Sequence, residues 1–434
     1  MVKYTYMVIQ NSSDLATTEA RKDALEITEA GFAAVNTEKV IKKNVRLDGD
    51  NLFIKNEKYS FSDIKRIFVV GIGKCSLEAA MTIEDILGDK ITDGAVLDLH
   101  GGDLKRIKSY IGDHPLPTQR NVDATKNIIN LLSGTKEDDL VIFIISGGGS
   151  TLLCQSDTMT CQDESEVFKC LTKQGADIKS LNTVRKHLSF ARGGFLAKHA
   201  YPSYAASLIF SDVLGDDLGY IASGPTVKDN STIQEAIDIL EKFDVENQCG
   251  MIKKGLIETP KEDKYFEKVK NLLVVSNKFA LDAMKEAAEK LGYQASVCDL
   301  CLAGEATTTG TNLADEINKA KSGSVRLYGG ETTVTIKGNG RGGRNMELAL
   351  SALKSINDDC LVLPVASDGR DNSDFAGAIA DKTTKDKSEK LNLNPDDFLK
   401  NNNSFEFFNK TKDALITGYT GSNVADLTIV IKNK

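Results

Sequence analysis

Two glycine-rich segments in the first half of the chain have the composition of oxyanion-binding turns. Each follows an apolar run, and the first ends in Lys74. The second consists of Ser146, Gly147, Gly148, Gly149 and Ser150. Adjacent glycines let the backbone approach a ligand and present N–H groups to it, and a lysine ammonium adds positive charge. A solvated surface lysine and a tight turn are the alternatives. The GK[ST] ending of a P-loop is absent.

Two arginine-containing segments could bind a carboxylate or phosphate. Arg341 and Arg344 stand among four glycines in Gly338–Asn345, and this loop is flexible, cationic and rich in N–H groups. Asn182 and Arg185 lie in a basic, partly helical block. An arginine side chain can pair with either anion through two parallel hydrogen bonds. For the block around Arg185, a basic surface face fits equally well.

Acidic residues follow two other apolar runs. Asp212 comes after Ala206–Phe210, and Asp368 comes after Leu361–Val365. Either carboxylate is suited to Mg²⁺, which usually takes one or two carboxylates together with substrate phosphates. The alternative for Asp212 is a helix N-cap with acids in the first turn. No Cys/His cluster accompanies His114, which argues against a zinc site. His114 is predicted to position a loop, and a role as a base is the alternative.

The elements that must position these residues alternate between strands and helices. Apolar runs predict strands, listed as 67–70, 140–145, 206–210, 272–275, 332–336 and 361–365. Helical spacing predicts helices, listed as 14–40, 76–87 and 280–291. This alternation indicates an α/β fold with a mostly parallel, doubly wound sheet. Ligands bind outside the carboxyl ends of such strands, which is where the turns described above fall.

A polar, lysine-rich stretch over residues 241–270 is the best candidate for a domain boundary. We therefore predict one domain over residues 1–250 and a second α/β domain over residues 251–434. The glycine-rich turn near residues 417–423 suggests that the last twenty or so residues pack back on the first domain.

Composition excludes several classes of protein. The 434 residues carry a formal net charge of −8, which argues against nucleic acid as the main partner but not against a small anionic substrate. No apolar run reaches the ~20 residues of a membrane helix, and the start of the chain is too polar for a secretory signal. A cytoplasmic location follows, and with it the expectation that all eight cysteines are reduced thiols.

Taken together, these segments resemble the glycerate 2-kinase family, whose chains end in a MOFRL domain. The resemblance runs in order from residue 71 to residue 427. It is carried by GIGKCSLEAAM (71–81), HPLP (114–117), ISGGGSTLL (145–153), LNTVRKHLSFARGG (181–194), SDVLGDDLGYIASGPTV (211–227), GEA (304–306), GGETTVTIKGNGRGGRNMELAL (329–350), ASDGRDNSDFAGA (366–378) and TGYTGSNVADL (417–427).

The resemblance implies a Rossmann-like N-terminal domain, a second α/β domain and an active site in the cleft between them. It implies phosphorylation of D-glycerate at its 2-hydroxyl by ATP. Lys74 and Arg344 or Arg341 match the family's site residues, and Arg344 is preferred because it adjoins the following helix. The chain departs from the family pattern at Phe195, Tyr419 and Ala425, which leaves the detailed substrate contacts open.

Two other functions stay open at this stage. A hydroxypyruvate reductase would need a complete nicotinamide-binding glycine pattern, and here Ser76 stands where the third glycine belongs. A non-catalytic sugar- or nucleotide-binding regulator would bind ATP without forming product. The sequence predicts no membrane partner and leaves open whether the chain forms a homo-oligomer.

Overall fold

Helices and strands alternate along most of the chain, as the apolar pattern predicts. The computed structural model describes residues 7–156, 158–213, 215–250 and 255–434. Two units can be distinguished. One is Thr37–Val275, and the other combines the residues up to Asn36 with Ser276–Lys434. In the described part of the chain, no helix is long and apolar enough to cross a membrane.

The strands, in chain order, are β1 Val45–Asp48, β2 Asn51–Ile54, β3 Glu57–Ser60, β4 Arg66–Ile72, β5 Ile91–Asp98, β6 Ile107–Ile111, β7 Asp139–Ile145, β8 Tyr204–Phe210, β9 Val269–Val275, β10 Gln294–Leu302, β11 Ser324–Gly330, β12 Cys360–Ala366, β13 Gly377–Ala378, β14 Ala380–Asp381, β15 Ala414–Leu415 and β16 Asp426–Lys432.

The α-helices are α1 Ser12–Leu15, α2 Glu19–Val35, α3 Thr37–Asn44, α4 Ser76–Leu87, α5 Gln119–Ser133, α6 Gly149–Leu152, α7 Cys161–Lys173, α8 Ile178–His187, α9 Phe195–Ala200, α10 Ile233–Lys242, α11 Val245–Cys249, α12 Asn277–Lys290, α13 Ala306–Asn318, α14 Arg344–Leu353, α15 Lys382–Lys390, α16 Pro395–Lys400 and α17 Ser404–Thr411.

A six-stranded parallel sheet organises the unit of residues 37–275. Its strand order is β6-β5-β4-β7-β8-β9. Counted within the sheet, this is the order 3-2-1-4-5-6 of a Rossmann-type fold. The winding direction reverses between β4 and β7, and ligands of such sheets bind at the carboxyl ends of the strands beside that reversal. The predicted doubly wound sheet is confirmed.

Burial on both faces explains why these strands could be recognised from sequence. Every residue of β7 is buried, and so are six of the seven residues of β4. When helices cover both faces of a parallel sheet, the sequence of each strand is a continuous apolar run rather than an alternation of apolar and polar residues. The core around it includes Val70, Phe143 and Leu152.

A small helical layer in the same unit has its own apolar core, formed by residues of α7, α8 and α10 such as Leu171, Val184 and Ala236. A disulfide joins Cys170 on α7 to Cys249 at the end of α11. The prediction that all cysteines are reduced is therefore wrong for this pair. The other six cysteines are free thiols, including Cys298 and Cys301 on β10.

The other unit is built on a seven-stranded mixed sheet with the order β10-β11-β16-β12-β13-β15, in which β14 also pairs with β12. The final strand, β16, is central and runs antiparallel to both β11 and β12. Arg21 on α2 is fully buried and bonds to Asp381 at 2.6 Å and Asp413 at 2.7 Å. This ion-pair cluster fastens the start of the chain to the unit's C-terminal half.

The observed units differ from the predicted domains in two places. The expected boundary at residue 250 precedes β9, which pairs with β8 and belongs to the first sheet. The residues up to Asn36 belong to the unit formed by the end of the chain. The final strand, β16, pairs with β11 and β12 in that unit, and packing of the last twenty or so residues on the predicted first domain stays a prediction.

One predicted strand is wrong. Residues 332–336 have the alternating pattern of a strand, yet they form only a single bridge, between Thr333 and Glu305. The backbone beyond it bonds instead to residues near Asn402, whose side chain accepts the N–H groups of Lys337 and Gly338. The strand of this region lies earlier, at β11.

The disulfide yields a prediction about stability. Cys170 and Cys249 are 79 residues apart, so the bond should restrict the unfolded chain and stabilise the folded unit by roughly 4 kcal/mol. We expect Cys170→Ser to lower the midpoint of chemical unfolding, and reductant to lower it in the unsubstituted protein but not in the variant. Cys161→Ser, which removes a free thiol of the same helix, is the control. Equal midpoints with and without reductant would contradict the prediction.

Candidate active site

The turns that follow β4 and β7 lie against one another at the reversal point of the parallel sheet. The backbone N–H of Lys74 donates to the carbonyl oxygen of Gly147 at 3.0 Å. Gly73 has a φ of +116°, and a Cβ placed on it would lie 2.1 Å from Oγ of Ser146. Only glycine fits there, because both the conformation and the contact exclude a side chain.

The side chain of Lys74 runs along the second turn. A Cβ on Gly148 would lie 3.2 Å from both Cγ and Cε of Lys74, and 3.6 Å from Cδ2 of His114. Desolvation and then the charge of Lys74 lower the pKa of His114 below its usual value. A neutral imidazole therefore accompanies the lysine. Lys74 and the glycine turn, which were predicted as two separate site candidates, therefore lie side by side in the folded unit.

Asp212 is held beside the same turn. It follows β8, and a Cβ on Gly147 would lie only 1.9 Å from its Oδ2. The backbone N–H groups of Gly147 and Gly148 donate no hydrogen bond to any described residue. Most buried N–H groups have a partner, so this adjacent pair is typical of an anion-binding turn.

Ser150 and Asn182 belong to a hydrogen-bonded chain that supports the turn. Ser150 shares a hydrogen bond with Ser223 at 2.8 Å, and Ser223 donates to Oδ1 of Asn182 at 2.8 Å. Ala222 and Ser223 adopt φ values of +50° and +59°, which strain a residue with a side chain. Ala222 also packs against Gly149. Asn182 therefore holds Ser223 in place beside the turn, and its predicted contact with a ligand stays a prediction.

In the second unit, Arg344 begins α14 and is held by two carboxylates. Its Nε and Nη2 donate to the two carboxylate oxygens of Asp426, and its Nη1 lies 2.9 Å from Glu331. Asp426 is buried, whereas Arg344 and Glu331 are each more than one-third exposed. Neither Asp426 nor Glu331 was predicted from the sequence as a site residue, although both lie within the motifs that carry the resemblance.

Asp371 fixes the start of the same helix. Its carboxylate accepts the backbone N–H groups of Asn345 and Met346, at 3.0 and 2.7 Å. Burial raises the pKa of Asp371 to about 7, against the opposing effect of these N–H groups. The side chain of Arg341 is more exposed than that of Arg344, and its Cζ lies 4.2 Å from the ring centroid of Phe405. Asp371 therefore holds the first turn of α14, where Arg344 lies, in position.

The predicted metal-binding acids lie in different units. Asp212 belongs to residues 37–275, whereas Asp368 belongs to the other unit and accepts the N–H of Arg370. Among the described residues, no group of three or more His, Cys, Asp and Glu side chains is arranged to hold a metal ion.

Burial raises the pKa of Cys75 to about 12, so this thiol beside Lys74 is not an activated nucleophile.

Comparison with known proteins assigns the family. A model for a domain of unknown function (DUF4147) matches residues 23–256, and the MOFRL family model matches residues 324–426. A glycerate 2-kinase of Pyrococcus horikoshii is 35% identical, with 95% of this chain and 97% of that protein aligned. The chain belongs to the glycerate kinase family.

Two further relatives of the family bear on fold and function. The crystal structure of a glycerate kinase from Thermotoga maritima superposes with a TM-score of 0.85 at 32% identity, covering 95% of this chain and 99% of that one. A protein of Agrobacterium vitis described as a putative hydroxypyruvate reductase is 34% identical over 84% of this chain and 87% of its own length. Both functions anticipated from sequence are thus represented among the names of relatives.

The contact between Gly147 and Asp212 can be tested by Gly147→Ala. The new Cβ would displace the Asp212 carboxylate, a movable side chain, so we expect the protein to remain folded. Misplacing a functional group by about 1 Å can cost roughly 10²-fold, and we expect kcat/KM for ADP release with D-glycerate to fall by about that factor. Gly134→Ala, where the nearest atom is 3.5 Å away, should leave the rate unchanged. Full activity of Gly147→Ala would contradict the prediction.

The raised pKa of Asp371 predicts a pH dependence of stability. Its folded pKa of about 7 lies above the unfolded value of about 3.9. Its contribution to stability is therefore fully present below pH 4 and is lost as the pH rises to about 7. We expect Asp371→Asn to gain stability relative to the unsubstituted protein over that range, measured by urea unfolding at several pH values. The exposed Asp374→Asn is the control, and a difference that does not grow with pH would count against this pKa.

Proposed function

We propose that this protein transfers a phosphoryl group from ATP to the 2-hydroxyl of D-glycerate, forming 2-phosphoglycerate. The observation that carries the proposal is the pair of N–H groups of Gly147 and Gly148, which lack acceptors among the described residues and lie beside the stem of Lys74. Phosphoryl transfer depends on positioning and charge neutralisation, which such a turn supplies. Relatives named glycerate 2-kinase align over nearly the whole chain.

In the proposed reaction, the glycine turn and Lys74 hold phosphate oxygens and neutralise charge that develops during transfer. Ser146 supports the turn from within, since its backbone N–H donates to Ile72 and its Oγ accepts from Cys75. Lys74 acts as a fixed cation. The proposal does not require it to act as a base or as a nucleophile.

Mg²⁺ fits this arrangement as a partner of the phosphates. Asp212 is a half-buried carboxylate beside the turn, and Mg²⁺ usually binds one or two carboxylates together with substrate phosphates. When bound, the ion would supply charge neutralisation to the phosphate oxygens. We propose Asp212 as its protein ligand in preference to Asp368, because Asp212 lies beside the glycine turn whereas Asp368 belongs to the other unit.

We propose a more limited role for Arg344 than that of an uncompensated cation. Asp426 occupies its Nε and Nη2, so only the side facing Glu331 can exchange partners. A ligand anion would compete with the exposed Glu331 for Nη1 while Asp426 keeps the guanidinium in place. Arg341, which is more exposed, remains the second candidate cation.

Hydroxypyruvate reduction is the weaker candidate, although one relative carries that name as a putative function. A nicotinamide site needs a free acid about 20 residues after the glycine turn to bind the ribose. Asp98 at the end of β5 has that place, but it is buried and accepts the N–H groups of Leu77 and Leu99. It serves the start of α4 and cannot also bind a ribose.

The function is tested by coupled ADP release from ATP with D-glycerate, followed by identification of the product by mass spectrometry and NMR. We expect 2-phosphoglycerate, and no NADH oxidation with hydroxypyruvate. Removing one preorganised charge donor typically lowers kcat by roughly 10²–10³-fold, so Lys74→Ala should fall in that range. Lys74→Arg should recover part of the loss, because it keeps the charge.

Lys65→Ala is the matched control, since Lys65 is an exposed lysine of the same unit that pairs with Asp138. Its rate should equal that of the unsubstituted protein. Turnover of hydroxypyruvate in place of D-glycerate would reject the kinase assignment. Normal turnover by Lys74→Ala would reject the role of the lysine alone. A cytoplasmic location remains a prediction from the sequence.

A further inference from the structure

A cavity of about 420 Å³ opens beside the glycine turn within the unit of residues 37–275. Ser150 and Thr151, which continue the turn into α6, form one wall. Apolar side chains form much of the rest, namely Pro115, Leu116, Pro117 and Phe168. The cavity therefore continues the Lys74 site toward α7 and α8, and it is large enough for an organic molecule rather than a bare ion.

Arg185 on α8 lines this cavity without an acidic partner. Its guanidinium carbon lies 4.3 Å from the ring centroid of Phe168, so the ring supports the charged group on one side. No carboxylate in the described part of the chain forms an ion pair with it. An arginine that is partly buried and unpaired is a costly arrangement unless a ligand supplies the anion.

The acid that could have neutralised Arg185 is already occupied. Glu164 on α7 also lines the cavity, but its Oε1 pairs with Arg192 at 2.7 Å and its Oε2 accepts the thiol of Cys154 at 3.4 Å. Arg192 is fully buried, and its Nε and Nη2 have no partner among the described residues. Two guanidinium groups thus face a single carboxylate.

This imbalance leaves an excess of positive charge at Arg185, which lines the cavity. Burial, and then the proximity of Arg192, lower the pKa of Arg185 to about 10, which still leaves it charged at neutral pH. A bound anion would remove the imbalance at Arg185, because a guanidinium can pair with a carboxylate or phosphate through two parallel bonds.

We propose that this cavity is an oxyanion subsite in which Arg185 binds the carboxylate or phosphate group of an organic ligand, with Phe168 fixing the guanidinium plane. The inference rests on and deepens the proposed kinase function. Two groups in the proposed reaction could supply the oxyanion that Arg185 binds: the carboxylate of D-glycerate and a phosphate of the nucleotide. The apolar walls hold the remainder of the molecule that carries the anion.

The test is steady-state kinetics with ATP and D-glycerate varied separately. A charge-assisted hydrogen bond contributes enough that its loss should raise one KM by roughly 10–100-fold, and we expect this for Arg185→Gln with kcat changed much less. A rise in the KM for D-glycerate identifies the carboxylate as the occupant. A rise in the KM for ATP identifies a phosphate.

Thermal unfolding would show whether Arg185→Gln is folded. Two milder variants, Arg185→Lys and Phe168→Leu, keep the proposal testable if it is not. Lys keeps the charge but loses the paired geometry, and Leu removes the supporting ring, so both should raise the same KM by smaller factors. Arg46→Gln, on the exposed strand β1 of the same unit, is the matched control. Folded Arg185 variants with both KM values unchanged would overturn the subsite.

Direct binding separates failure of this subsite from failure of the kinase assignment. Calorimetry on the full chain would use D-glycerate, ADP and inorganic phosphate as separate probes. If the protein lacks kinase activity but binds one of these in an Arg185-dependent way, the kinase assignment fails and the subsite stands. If it turns over D-glycerate while Arg185→Gln binds all three probes normally, the kinase assignment stands and the subsite is rejected.

Discussion

The close approach of two backbone turns at the reversal of the parallel sheet is the constraint on which the candidate site depends. Gly73 and Ser146 are so near that no side chain fits between them, and Gly147 leaves room for the Asp212 carboxylate, which a side chain there would displace. The strand order brings the two turns together, and the glycines let them touch. That contact brings together Lys74, the N–H groups of Gly147 and Gly148, which have no acceptor in the described part of the chain, and Asp212.

The two units differ in how far their arginine side chains are neutralised by neighbouring carboxylates. In the unit of residues 37–275, Arg185 has no acidic partner among the residues that the structure describes, and Glu164 is already shared by Arg192 and Cys154. In the other unit, Arg344 is balanced by Asp426 and Glu331. The first arrangement is prepared to gain an anion, whereas the second must give up an internal contact before it can bind one.

Much of the fold was predictable because the strands are buried on both faces and glycine turns follow them, as at Lys74 and Ser146. The pairing of these turns followed from the general rule for parallel sheets. The role of Asn182, the acids around Arg344 and the Arg192–Glu164 pair were not predictable, because they depend on contacts between segments distant in sequence. The unit boundaries were missed for the same reason, since Arg21 finds its partners some 360 and 392 residues away.

The central position of the last strand has a consequence for synthesis of the protein. Residues 37–275 form a continuous stretch, so that unit can be complete while the remainder of the chain is still being translated. The other unit needs both α2 and β16, which lies between β11 and β12. Its sheet cannot be completed until β16 has emerged from the ribosome, and α2 stays without its partners while the residues between them are translated. A chain truncated before β16 would therefore contain one complete unit and one that cannot fold.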